Sequence, residues 1–256
     1  MKVKVLQLNV WTGRLKGALT RFFSEHDYDI VCLQEAVWCE NAPAHLGHFV
    51  DTVEDLKEAS GLEYDARVSN WGIDLLGGKA TMEQGNAILS RFPIASVETK
   101  LINGKYRCAT NFNIKNGAPD DQGYFALKIK LENGLTVLNY HGYWLPDPIG
   151  DEMTVECMRK AADMIRDEKG PVVMCGDLNV ETVSPAMREL DFLKDLTVET
   201  GTKQTLMNVK FVKDVACDHI LISDDIEWSN FEVHKELVSD HAAVSVELEY
   251  KEENNA

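Results

Sequence analysis

The chain has 256 residues, 45% hydrophobic and 27% charged, an ordinary balance for a soluble globular protein. Its formal net charge of −16 argues against a protein that coats long duplexes through a broad basic face. No stretch approaches the roughly 18 apolar residues of a membrane span, and the six scattered cysteines form no CxxC pair, which argues against a disulfide framework or a zinc site.

The amino-terminal segment VKVLQLNV (3–10) reads as a strand rather than as the apolar core of a signal peptide. A helix follows, with Leu15, Ala18, Leu19, Phe22 and Phe23 at helical spacing on one face. DIVCLQE (29–35) is a short buried-strand run, and a second helix is expected between Pro43 and Ser60, carrying Leu46, Phe49, Val53 and Leu56 and stopped by Gly61. NAILSRFPI (86–94) reads as a strand ended by proline. YFALKIKL (124–131) and LTVLNYH (135–141) form strands joined by the turn ENG. DEMTVECMRKAADMIRDEKG (151–170) is an amphipathic helix with Met158, Ala161, Ala162 and Ile165 inward. VVMCGD, CDHILIS and VSVELEY supply further strands. The expectation is one α/β domain over residues 1–250, with a frayed polar tail at 251–256. Cysteines inside apolar runs read as buried thiols, which fits a reducing cytoplasm. Neither membrane insertion nor an obligate protein partner is expected.

Polar residues gather where strands begin and end. LQLN stops on Asn9, VCLQ on Glu35, LNY on His141 and VVMCG on Asp177 and Asn179. Asp218 and His219 open one strand; Asp240 and His241 open another. An isolated carboxylate costs several kcal/mol to bury, so such groups imply a shared ion or substrate. Oxygen donors without thiolates suit a hard cation, Mg²⁺ or Mn²⁺. A Lewis acid, an oriented water and donors aimed at developing charge are the parts of phosphoester hydrolysis.

Seven blocks in order, LNVW (8–11), LQEA (33–36), GNAILSRFPI (85–94), NYHGYW (139–144), GDLNV (176–180), CDHILIS (217–223) and SDHAAV (239–244), give the chain a resemblance to the endonuclease/exonuclease/phosphatase superfamily. The resemblance implies a four-layer α/β sandwich, two packed, mostly antiparallel β-sheets flanked by helices, with the active site at one edge. It implies a metal-dependent phosphoesterase in which Glu35 is the principal metal ligand, aided by Asn9 and Asp240. Asp177 and Asn179 align the attacking water, His241 contacts the phosphoryl group with Asp218 orienting its ring, and His141 stabilises the transition state or assists the leaving oxygen. Whether His241 or Asp177 is the general base stays open. Glu83 is a candidate partner for His141, and His219 reads as structural.

The expected substrate is a phosphoester, with a nuclease or DNA-end-processing phosphodiesterase as the first reading. Basic clusters at 1–24, 91–116 and 202–213 can hold a nucleic-acid backbone locally, Arg107 is a candidate phosphate contact, and Trp144, with Trp11 and Tyr143, a candidate stacking surface. The alternatives are a lipid head-group or small phosphate-ester hydrolase, with the loop 144–153 setting specificity, and a catalytically inactive relative that binds a partner.

Overall fold

The structure, a computed structural model, describes residues 1–40, 51–75, 77, 79–109, 114–115, 118–119, 122–207 and 214–252. In chain order the strands are β1 (Lys2–Asn9), β2 (Ile30–Glu40), β3 (Tyr64–Leu75), β4 (Ala80–Ser90), β5 (Ile94–Asn103), β6 (Cys108–Ala109), β7 (Ile114–Lys115) and β8 (Ala118–Pro119). There follow β9 (Tyr124–Leu131), β10 (Thr136–Tyr140), β11 (Val172–Asp177), β12 (Lys194–Asp195), β13 (Asp218–Ile222), β14 (Glu227–Val233) and β15 (Val244–Glu249). Among the described residues they form a seven-stranded sheet, ordered β14-β15-β1-β2-β4-β3-β6, a six-stranded sheet, β12-β13-β11-β10-β9-β5, and the small pair β7-β8.

Strand alternation builds the layers. Val3 and Val5 of β1 meet Val137, Val173 and Ile220 of the other sheet in a shared core, while Leu6 and Leu8 turn outward onto Leu19, Phe22, Val53 and Leu56. Those outward residues are covered by the helices Lys16–Glu25 and Thr52–Ser60. On the other side Leu138, Tyr140 and Met174 pack under Met158, Ala161 and Ala162 of the helix Glu152–Ala162. The result is the four-layer sandwich. Local signals set the helix ends: Asp51 accepts the Glu54 N–H at 2.9 Å, and Gly61 closes the same helix at φ 67°. Asp151 and Thr154 form a capping box at the start of Glu152–Ala162.

Most pairings are antiparallel, but β1 runs parallel to β2, β10 to β11, and the short β6 to β3. The first two pairs each need a crossover, supplied by Lys16–Glu25 and Glu152–Ala162 respectively. The carboxyl ends of all four strands therefore fall on one edge of the sandwich. β13 and β15, antiparallel to β11 and β1, begin at that same edge.

Seven strands escape the sequence reading: β3, β5 and β14, and the two-residue β6, β7, β8 and β12. β5 and β14 lie at sheet edges with mostly exposed side chains, so no apolar alternation marks them. β3 carries Asp65, Arg67, Ser69 and Asn70 in a half-buried setting, and β4 starts earlier than expected, at Ala80. The expected helix from Pro43 is described only from Thr52; Leu46 and Phe49 lie outside the described residues, as do residues 253–256 of the polar tail. Five of the six cysteines are buried free thiols, and Cys108 is exposed.

Candidate active site

The inward-facing side of each central strand changes character near the shared edge. Val3 and Val5 are followed at the same alternation by Gln7 and Asn9, Ile30 and Cys32 by Gln34, Val137 by Asn139, and Val173 and Cys175 by Asp177. A buried polar layer results. Gln7 and Gln34 exchange amide hydrogen bonds at 2.5 and 2.8 Å, and Gln34 Nε2 also donates to Asn139 Oδ1 at 2.6 Å. Asn139 Nδ2 then donates to the carbonyls of Leu33 and Ala87, both at 2.9 Å, and Gln7 Nε2 donates to Asp218 Oδ1 at 3.2 Å. This layer joins the two sheets beneath the site and was missed in the sequence. Its signal was present: an amide two residues before a site residue, as in Gln7/Asn9 and Asn139/His141.

Above it, Asp177 Oδ2 is the hub. Asn9 Nδ2 donates to it at 3.0 Å, and the Nε2 atoms of His141 and His241 stand 3.5 and 3.6 Å away. Asp177 Oδ1 accepts the Asn179 N–H at 3.0 Å. Asp177 and Asp218 face each other in the β11/β13 register, an arrangement that like charges disfavour. His241 resolves it, with Nδ1 on Asp218 Oδ2 at 2.8 Å and Nε2 toward Asp177. Burial alone would lower the His241 pKa, but Asp218 and Asp177 reverse this and hold it well above the ordinary value. Burial likewise pushes Asp177 up, and His241, His141, Asn9 and the Asn179 N–H outweigh it, so its pKa is lowered.

Glu35 owes its position to a bulge. Leu33 pairs with Ala87 and Ala36 with Gly85, so Gln34 and Glu35 share Asn86, and Glu35 takes φ 51°. Asn179 at φ 56°, and Trp11 and Thr12 at 49° and 53°, show the same left-handed backbone beside the site. Glu35 Oε1 accepts from Asn9 Nδ2 at 3.2 Å. Asp240 is fixed beside it because Ser239 Oγ donates to the Asn9 carbonyl at 2.6 Å and to Asp240 Oδ1 at 3.2 Å.

These residues fit a hard divalent cation. Burial raises the Asp240 pKa, His241 opposes this, and repulsion from Glu35 adds to it, so two carboxylates crowd one place where a cation relieves both. Asn9 Oδ1, which accepts the Trp11 N–H at 3.0 Å, retains a second lone pair as a third oxygen donor. Cys217 also lies close to Asp177 and His241. Burial, then the Asp177 and Asp218 charges, drive its thiol pKa well up, so it stays protonated and is a poor metal ligand.

Thus Asn9, Glu35, His141, Asp177, Asn179, Asp218, Asp240 and His241 assemble at one edge. Asn179 has a further task, donating from Nδ2 to the Gly142 carbonyl at 3.0 Å. Trp144 is 54% exposed just past His141. Arg107 is exposed near the sheet edge, its carbonyl accepting the Gly72 N–H at 2.8 Å. Glu83 accepts from Tyr106 OH at 2.9 Å, whereas the carboxylate beside His141 is that of Asp177.

Several side chains of the basic clusters are engaged internally. Lys2 meets Glu249 at 3.2 Å, Lys4 meets Glu247 at 3.7 Å and Lys16 pairs with Asp55. Arg91 bridges Asp27 and Asp29, and Lys100 Nζ donates to the Lys160 carbonyl at 3.1 Å. Of the third cluster, Lys210 and Lys213 lie outside the described residues.

His219 is fully buried and its Nδ1 lies 2.8 Å from Asp195 Oδ2, the carboxylate that also caps the short helix Leu196–Glu199. Burial opposes its protonation, but Asp195 outweighs burial and raises its pKa above 6.5. The pair therefore contributes stability that is complete below the ordinary histidine value and fades as pH rises through the raised folded value. His219→Gln should cost about 3 kcal/mol in urea unfolding near pH 6, with a smaller difference at alkaline pH. An equal difference at both pH values would contradict this reading.

The profile of the Endonuclease/Exonuclease/phosphatase family matches residues 6–241, nearly the whole chain. The chain belongs to that family. Family members are phosphoester hydrolases, and this chain carries their fold. No curated protein gives a significant match. Among solved structures, an endonuclease/exonuclease/phosphatase from Beutenbergia cavernae is similar, with a TM-score of 0.68 and 19% identity over 98% of this chain and 72% of that one. The mannosyl-6-phosphatase Bt3783 of Bacteroides thetaiotaomicron is 19% identical, with a TM-score of 0.65 over 97% of this chain and 100% of that one. ANGEL2, a 2',3'-cyclic phosphatase in complex with adenosine-2',3'-vanadate, is 14% identical, with a TM-score of 0.68 over 97% and 95% respectively. Such identities speak for a common fold. In the described residues no helix is long and apolar enough to cross a membrane.

Proposed function

We propose that the chain is a divalent-cation-dependent phosphoesterase acting on a small or terminal phosphoester. The observation that carries this is the convergence of Asn9, His141 and His241 on one oxygen of Asp177, with Glu35 bonded to the same asparagine. Mg²⁺ or Mn²⁺ held by Glu35, Asp240 and Asn9 supplies the Lewis acid when bound. Asp177, aligned by Asn9 and the Asn179 N–H, orients the attacking water and receives its proton. His241, fixed by Asp218, contacts a phosphoryl oxygen on which charge develops. His141 faces the leaving oxygen. The P–O bond to that oxygen breaks as the bond from water forms.

Internal engagement of several of these basic side chains favours a compact substrate over an extended polynucleotide. The sugar-phosphatase and cyclic-phosphatase activities of two structural neighbours agree with that choice. The second reading, a nuclease, draws on the exposed Trp144 and on Arg14, whose guanidinium lies 4.6 Å over the Trp11 ring beside Asn9. Every site position holds a competent residue type, which disfavours an inactive binding relative. The test is turnover of a bis-aryl phosphodiester and an aryl phosphomonoester with Mg²⁺ or Mn²⁺, then a panel of sugar phosphates, cyclic nucleotides, lipid head groups, RNA, and single- and double-stranded DNA. Chelation with EDTA should abolish turnover and added metal restore it. Activity that survives EDTA would refute the cation dependence, and a preference for long DNA would favour the nuclease.

A further inference from the structure

The outer face of the seven-stranded sheet carries a second cluster of side chains of metal-ligating type. His26 ends the helix Lys16–Glu25, His234 follows β14, and Glu236 lies two residues farther on. One ligand atom from each lies within 4.8 Å of the other two. Ser245, the hydrogen-bond partner of His234, pairs with Leu6 in the β1/β15 register. Leu6 faces the helix layer, so this group lies across the sheet from the inward-facing Gln7 and Asn9.

Both imidazoles are held ready. His26 Nδ1 lies 2.9 Å from the Phe22 carbonyl, to which it donates, leaving the Nε2 lone pair 4.0 Å from Glu236 Oε1. His234 Nε2 lies 2.8 Å from Ser245 Oγ, which can accept its proton, and Nδ1 then faces Glu232 at 3.8 Å and Glu236 at 4.0 Å. Phe22 fixes both rings, stacked on His26 at 4.3 Å and edge-on to His234 at 5.2 Å. A backbone carbonyl or hydroxyl behind each ring is the support that metal-bound histidines use.

We propose that His26, His234 and Glu236 form a binding site for a zinc-class transition-metal ion, with Glu232 able to complete the shell. Two imidazoles with carboxylate suit Zn²⁺ better than Mg²⁺ or Ca²⁺. Zinc–donor bonds of about 2.1 Å place tetrahedral ligands about 3.4 Å apart, so the group must contract. Glu236 and Glu232, 53% and 66% exposed, can swing inward without disturbing the core. The ion would tie the end of the helix to the segment 234–238, which leads directly to Ser239, Asp240 and His241. The site is thus a staple for the loop that delivers two residues of the active edge, and needs no part in its chemistry.

The test uses the full chain in saturating Mg²⁺, titrated with Zn²⁺ against a chromophoric chelator and, separately, with Co²⁺ by visible absorption. One tight Zn²⁺ per chain is expected, with the intense absorption of four-coordinate Co²⁺. His26→Ala and Glu236→Gln, both at the surface, should each weaken Zn²⁺ binding by about a hundredfold, and His26→Ala should lose the Co²⁺ band. Glu35→Gln should retain both signals. Absence of tight Zn²⁺ binding, parental Zn²⁺ affinity in the two surface variants, or loss of binding in Glu35→Gln would each overturn the proposal.

Discussion

Asp177→Asn should lower kcat by about 10³-fold or more while leaving the protein folded. The side chain is buried at the end of β11 and serves four groups: the Asn179 N–H on Oδ1, Asn9 Nδ2 on Oδ2, and the two imidazoles that approach Oδ2. An asparagine of equal size keeps one carbonyl oxygen but loses the negative charge and the capacity to take a proton. Loss of a general base or of a charge-stabilising group typically costs about 10²–10⁴-fold, and Asp177 is placed to act in both ways. Removing the charge also weakens the hold on protonated His241, which Asp218 alone would then support. Steady-state kinetics paired with a melting curve separates the effects. A kcat within tenfold of the parent, in a folded variant, would remove Asp177 from the reaction.

Gly142→Ala should cost at least about a hundredfold in activity and destabilise the fold by about 2–3 kcal/mol. Gly142 follows His141 and lies against the loop that follows Asp177. A Cβ there would stand 2.0 Å from the Leu178 carbonyl oxygen and 2.4 Å from its carbon. Neither is a side-chain end that can turn away. The contact is also held by hydrogen bonds, with the Gly142 N–H donating to the Asp177 carbonyl at 2.8 Å and Asn179 Nδ2 donating to the Gly142 carbonyl at 3.0 Å. The methyl group must therefore pry the His141 loop from the Asp177 loop. Overpacking of this kind costs about 1–3 kcal/mol, and a shift of about 1 Å in a catalytic group about 10²-fold in rate. Urea unfolding and kcat/KM on one preparation test both parts; full activity with parental stability would show that the loops can part harmlessly.

Much of this molecule was legible beforehand because its central strands are strongly apolar and end on conspicuous polar residues. Asn9, Glu35, His141, Asp177, Asp218 and His241 stood out because carboxylates, amides and imidazoles seldom follow runs such as VLQLN or VVMCGD without a task. Gln7, Gln34 and Asn139 were not recognised, although each sits inside such a run. A single amide in a strand reads as a packing detail until its partners, on other strands and in the other sheet, are known. The edge strands β5 and β14 were missed for the opposite reason. Their pairing is backbone hydrogen bonding, and their exposed side chains carry no periodic signal.

The basic clusters show the limit of reading charge along a chain. Lys2, Lys4, Lys16 and Arg91 stand in acid-poor stretches, yet fold against Glu249, Glu247, Asp55 and Asp29 from distant segments. Sequence alone determined the alternation of the strands, the faces of the helices and the residue types available for phosphoester chemistry, because each depends on local period and side-chain chemistry. Tertiary structure alone decided that two parallel pairs end at one edge, that a bulge turns Glu35 toward Asn9, and that His241 stands between Asp177 and Asp218. Those facts depend on strand register and on close approach between residues far apart in the chain, such as Asn9 and Asp177, 168 positions apart, or Gln7 and Asp218, 211 positions apart, which no local pattern encodes.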